Sequence, residues 1–199
     1  MIKHLALLLL IGTGFHSYAQ KKCVMQEYAD QQLGQDNMLK NRLDEIEVFT
    51  SEKINTSNET TQRTYRLPEI IEVPVVVHVI YHTPDQNVSK QTIDLLLAAL
   101  NRDFNKQNAD TANIPAAFKP FATSMGLAFK LATTDPKGMG TTGIIRKYTP
   151  ITYWMSDDRM KFSASYGDDA WDSKSYLNIW ICNMIDALGY STFPGMDAS

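Results

Sequence analysis

Val73 to His82, VPVVVHVIYH, is the segment that most limits the folds open to this chain. Branching at Cβ already restricts χ1, so valine and isoleucine lose little on entering a pleated sheet. Apolar residues here fill both alternating sets of positions, which predicts a central strand buried on both faces. Pro74 stands near its start, where a missing N–H does least harm. Downstream, Ser89 can cap a helix running to about Asn108, with Ile93, Leu96, Leu97, Leu100 and Phe104 as its buried stripe. Leu127, Phe129 and Leu131 alternate with Ala128, Lys130 and Ala132, which predicts a second strand. Strand, long helix, strand is a crossover unit, so the two strands are expected to be parallel with the helix behind them. Further strands are expected at Ile144–Tyr148 and Leu177–Cys182, with a weaker one at Gly189–Phe193.

Residues 1–19 have the pattern of a secretory signal: Lys3, an apolar run from Leu5 to Ile11, and Ser17-Tyr18-Ala19 ahead of Gln20. An uncleaved anchor is the alternative. The run is short for a membrane span, so the mature protein is expected to be secreted and free of the membrane. Removing Lys3 and no acid moves the formal charge from -3 to -4, which argues against nucleic acid as a partner. Residues 20–66 are polar, with Leu39, Leu43, Ile46 and Phe49 at helical spacing over 36–50. Asn55–Arg66 reads as a mobile linker whose Arg63 and Arg66 offer a protease-sensitive boundary.

Three motifs are weaker than they look. Gly138 to Gly143, GMGTTG, matches a dinucleotide fingerprint, but the strand-like Ile144–Tyr148 follows where a helix N-terminus is needed, so a hairpin-like turn is expected. His78 and His82 lie four apart on a strand, which separates them by roughly 13 Å, too far to share one ion. They are expected to pack in or beside the sheet. Asp168, Asp169 and Asp172 form an acidic cluster that could take calcium or could be a solvated loop. Asn55, Asn58 and Asn87 open glycosylation sequons.

Taken in order, VPVVVHVIYHTPDQNVS, LNRDFNKQNADTANIPAAFKP, FKLATTDPKGMGTTGIIRK, DAWDSKSYLNIWICNM and GYSTFPG resemble the pappalysin-like secreted zinc metalloproteases of the metzincin group, of the cytophagalysin and ulilysin type. The likeness covers roughly residues 70–195. It implies an α/β (α+β) fold: a metzincin-like N-terminal subdomain with a twisted, mostly parallel sheet and a backing helix, preceded by a small helical pro-segment. It implies a signal peptide at 1–19, a pro-segment and linker at 20–66, and the N-terminal half of a catalytic domain at 67–199. The family's motif His-Glu-x-x-His-x-x-Gly-x-x-His binds zinc, and its glutamate takes a proton from the metal-bound water that attacks the peptide bond. That motif is not in this sequence, so the chain is expected to be the front portion of such a zymogen, inactive alone, with no catalytic residue and no active-site metal ligand of its own.

The resemblance also implies a substrate-binding edge at Leu188, Gly189, Tyr190 and Ser191, where an extended peptide or protein substrate adds a strand. It implies that Cys23 could be a latency ligand on the zinc of the full-length enzyme; a disulfide with Cys182 is the rival reading, and a buried free thiol is the other state open to Cys182. A non-catalytic secreted peptide-binding module with a protease-like fold is the alternative function. A β-rich adhesion protein is a third reading, which the 89–108 helix disfavours. Without a helix over the cleft, Ile179, Ile181 or Trp180 is expected to leave an apolar patch and poor solubility.

Overall fold

A computed structural model describes residues 24–59 and 70–192 of the chain. The signal sequence, Cys23, most of the linker and Phe193 onward lie outside the described residues. The elements in order are α1 (Met25–Gln35), α2 (Leu39–Glu59), β1 (Ile71–Tyr81), α3 (Lys90–Phe104), β2 (Leu127–Leu131), β3 (Ile144–Tyr148) and β4 (Leu177–Ile181), joined by irregular segments with short 3-10 turns. The result is the expected mixed α/β fold with an open, parallel four-stranded sheet and a backing helix.

All pairing converges on β1. Its residues 71–75 pair with β2, 77–81 with β3 and 75–79 with β4, every pair parallel. The backbone groups that reach β2 and β3 belong to one alternating set. Ile71 donates to Gly126 and Ala132 donates to Val75; Val77 donates to Gly143 and Thr149 donates to Tyr81. In a strand, alternate residues direct both backbone groups to one side. So β2 and β3 lie end to end along one edge of β1, and β4 takes the other. Where β2 leaves and β3 arrives, Gly143 has φ +69, and a Cβ there would lie 2.7 Å from the Ala132 nitrogen. Only glycine meets both conditions.

The side chains of β1 sort by the same alternation. Val75, Val77 and Val79 meet Ile93 and Leu97 of α3, with Phe129, Leu131, Ile144, Ile179 and Ile181 around them. Each fully buried valine or isoleucine contributes about 1.5–3 kcal/mol relative to exposure. α3 begins where Ser89 Oγ accepts the Thr92 N–H at 3.1 Å. It ends earlier than expected, because Lys106 turns left-handed (φ 57) and Gln107 N–H caps back to the Arg102 carbonyl. Asn101 then imitates a strand: its amide donates to the Phe129 carbonyl at 2.9 Å and accepts the Phe129 N–H at 2.7 Å. Asn105 donates to the Leu127 carbonyl at 2.7 Å. The outer edge of β2 is thereby satisfied by side chains.

The opposite face departs from expectation. Val76, His78 and Ile80 are 0–1% exposed. Ile80 packs with Trp154 and Met160, joined by Ile151, Trp180, Cys182, Met184 and Tyr190. The irregular segment between β3 and β4 folds over this face. Ile179 and Ile181 lie on the α3 side, so the apolar patch expected around them is not found.

Two further corrections concern the ends. The helix read over 36–50 is longer, Leu39–Glu59, and takes in residues assigned to the linker. Thr50 and Thr56 return their hydroxyls to the carbonyls of Ile46 and Glu52, so the polar stretch continues the helix rather than ending it. α1 had no strong periodic signal; it is held by its contacts with the rest of the fold. The turn between the helices is clamped by Asp36, which accepts the Met38 N–H and pairs with Arg42 at 2.5 Å. The Arg42 guanidinium, then that N–H, hold the Asp36 carboxyl below its ordinary value. The clamp is therefore present above the ordinary carboxylate range and fades as pH falls through the lowered value. Gly189–Thr192 do not form a strand.

Gly143→Ala is expected to lower the unfolding free energy by at least about 2 kcal/mol, combining left-handed strain with the Ala132 clash. Ile93→Ala is expected to lose about 2–5 kcal/mol. Denaturant titration with both variants checks these; a Gly143→Ala chain as stable as the parent would contradict the end-to-end abutment.

Candidate functional site

The segment singled out as a substrate edge, Leu188 to Ser191, is where the N-terminal helices meet the sheet domain. Leu188 is 75% exposed and turns to solvent. Tyr190 turns inward. Its ring lies 4.5 Å from that of Tyr28 on α1, at a 44° tilt. Its hydroxyl donates to Asp158 Oδ1 at 2.9 Å, and Tyr28 donates to Asp158 Oδ2 at 2.8 Å. Gln32 adds an N–H to Oδ2 at 3.3 Å. Lys161 pairs with Oδ1 at 2.8 Å and stands 5.3–5.7 Å from the ring centres of Tyr28, Trp180 and Tyr190. Ser191 N–H contacts Met25 Sδ at 3.1 Å.

Tyr28, Ala29 and Leu39 are buried together with Leu43 and Tyr190 packed on them. Burial, and next the Asp158 carboxylate, push the Tyr190 phenol well above the ordinary tyrosine value, so its proton is retained for that bond. Asp158 sits left-handed at φ 64, a conformation Asp tolerates better than most residues. The sequence reading named Tyr190 but not Tyr28, Asp158 or Lys161, the groups that meet it in the structure. A lone Tyr in a weakly patterned helix and a DDRMK stretch carry no local signal of meeting in space.

His78 is a structural pin. Its Nδ1 lies 2.6 Å from Asp168 Oδ2 and its Nε2 3.1 Å from Asn178 Oδ1. The Asn178 amide is oriented by Trp171, whose N–H it accepts at 2.8 Å and whose carbonyl it donates to at 2.9 Å. Its oxygen can only accept, so Nε2 carries a proton. Trp180 stacks on the ring at 4.9 Å and donates its indole N–H to the Asp168 carbonyl at 2.9 Å. Lys147 reaches Asp168 Oδ1 at 3.4 Å. His82 bonds the Thr149 carbonyl at 3.0 Å. Both histidines thus serve the sheet and its cover.

The fit to a metal can be judged on these contacts. Both nitrogens of His78 are engaged, and His82 Nδ1 is bonded to the Thr149 carbonyl. Asp168 belongs to His78. Asp169 accepts from Ser163, side chain and backbone, which lowers its pKa. Asp172 accepts the Lys174 N–H and the Ser175 hydroxyl, with the same result. Among the described residues no group of three or more His, Cys, Asp or Glu could hold a metal ion. These residues do not form a zinc or calcium site. GMGTTG closes as a hairpin-like turn, with Thr134 bridging Gly140 and Asp135 accepting from Lys137 and Met139. Cys182 is a free thiol whose pKa burial pushes up to about 12; its suggested partner Cys23 lies outside the described residues. No helix among the described residues is long and apolar enough to cross a membrane.

Comparison with solved structures gives one consistent neighbourhood. Mirolysin in complex with compound 9 shares 45% identity over 63% of this chain and 47% of that chain, with TM-score 0.60. Tannerella forsythia mature mirolysin in complex with a cleaved peptide shares 46% identity over 63% of this chain and 47% of that one, TM-score 0.59. A Tannerella forsythia promirolysin point mutant shares 36% identity over 88% of this chain and 55% of that one, TM-score 0.68. The fold matches that of promirolysin. The chain spans about half the length of the structures it matches. No family model matches it, and no curated protein does.

His78→Ala is expected to cost roughly 3 kcal/mol, since it strips Asp168 of its buried partner. Cys182 is expected to resist alkylation at neutral pH until the chain is unfolded, because the thiolate is the reactive form. Mass-spectrometric labelling with and without denaturant reads this directly; modification at equal rates in both would contradict a half-buried thiol with a raised pKa.

Proposed function

We propose that this chain is the pro-segment and N-terminal half of the catalytic domain of a secreted, zinc-dependent endopeptidase of the pappalysin-like group, held latent. One observation carries the reading: the N-terminal helix docks by Tyr28 and Met25 on the very segment, Tyr190 and Ser191, where an extended substrate would lie. A pro-segment that occupies the rim of a cleft denies it to peptides. The likeness reaches further along this chain for promirolysin than for mature mirolysin, 88% against 63%, which supports a zymogen. The mature neighbour was captured with a cleaved peptide, which supports a peptide or protein substrate here.

In this reading the chain's own residues do three things. β1 and its partners form a rigid platform. The 151–171 segment and the Asp158 carboxylate position Tyr190 at the rim. α1 and α2 cover that rim until the linker read at 55–66 is cut at Arg63 or Arg66. Zinc would polarise the scissile carbonyl and activate water in such an enzyme. The described residues do not fit the metal, so none of these roles passes through it. Cys23 is the proposed latency ligand of the full-length zymogen, and residues 1–19 its export signal.

The product of the complete coding sequence is expected to gain hydrolysis of a generic protein substrate on cleavage within residues 60–69, to lose it to a chelator and to regain it with zinc. Residues 20–199 alone are expected to show none. Zinc-dependent cleavage by residues 20–199 alone, or no hydrolysis by the processed full product, would overturn the reading; the second result would favour a peptide-binding module.

A further inference from the structure

We propose that the recess formed by Asp158, Lys161 and Tyr190, which Tyr28 fills in this structure, is a subsite for a tyrosine side chain of the peptide or protein substrate. This rests on the peptidase reading and deepens it. The walls of the recess lie outside α1 and are bonded to one another. Tyr190 donates to Asp158 Oδ1 and accepts the Asp158 N–H at 3.3 Å; Lys161 pairs with the same carboxylate and donates its own N–H to the Asp158 carbonyl at 2.8 Å. These bonds fix the left-handed Asp158 with its second oxygen, Oδ2, turned to α1.

What enters this recess is specified by what α1 supplies. Tyr28 is 3% exposed; its ring lies on Tyr190 and its hydroxyl donates to Oδ2. When α1 departs, Oδ2 loses the donors of Tyr28 and Gln32 together, and the Tyr190 face loses its covering ring. A replacement must bring a flat apolar body and a donor at its tip. Phenylalanine supplies the body without the donor. Lysine or arginine supplies a donor but a second positive charge beside Lys161, whose ammonium already neutralises Asp158. Tyrosine supplies both without added charge, and its ring also accepts the Lys161 cation.

The test uses the full chain, nicked by limited proteolysis within residues 60–69. Release of the fragment carrying residues 24–59 is followed by size exclusion and mass spectrometry, while the blocked pentapeptides Gly-Gly-Tyr-Gly-Gly, Gly-Gly-Phe-Gly-Gly and Gly-Gly-Lys-Gly-Gly compete. The tyrosine peptide is expected to release the fragment at about tenfold lower concentration than either other peptide, the worth of one hydrogen bond to a carboxylate. Asp158→Asn is expected to remove that preference, and Tyr28→Phe, which keeps the ring, to ease release in the absence of peptide. Equal potency of the phenylalanine or lysine peptide, no release by any, or a preference that survives Asp158→Asn would overturn the subsite. Hydrolysis plays no part in this readout, so these outcomes are separate from chelator-sensitive activity, whose absence would overturn the peptidase reading instead.

Discussion

β1 is hydrogen-bonded to every other strand of the sheet, on both edges, and its middle is buried on both faces. A backbone so placed has no water to fall back on, so each of its N–H and C=O groups must find protein. The short strands β2 and β3 divide one edge between them because neither is long enough to cover eleven residues. Their junction at Gly143, the register of β4 and the seat of α3 all follow from that demand. The segment 151–171 follows too, since Val76, His78 and Ile80 had to be covered by something.

The docking of α1 depends on the same face at one remove. Tyr190 reaches Met160 and Asp158, which belong to the layer that shelters Ile80. A helix with little stability of its own is therefore held by aromatic and charged groups whose positions are set by the core. The contact between α1 and Tyr190 is packing between two parts of one chain.

The platform was legible in the sequence because its signals are local. A β-branched run, a capped amphipathic helix and strict alternation at 127–132 each name their element. They also fixed the parallel order, since a long helix between strands permits little else. Irregular coverage was not legible: nothing in ITYWMSDDRMKFSASYGDD has a period, yet Trp154, Met160 and Asp168 from it complete the sheet's second face. The contacts of the candidate site were hidden in the same way. Tyr190 was named through resemblance, while Tyr28 and Asp158, separated by 130 residues, meet only through the fold. The early end of α3 was missed because a lysine stands where glycine usually marks such a stop.

Asn101 and Asn105 leave one last consequence. By answering the backbone of β2 with amides, α3 closes the β2 part of that flank to any further strand. Growth of the sheet, whether by a bound chain or by an unwanted copy of itself, is steered away from β2. Directionality of association is thus written into a helix that touches neither partner.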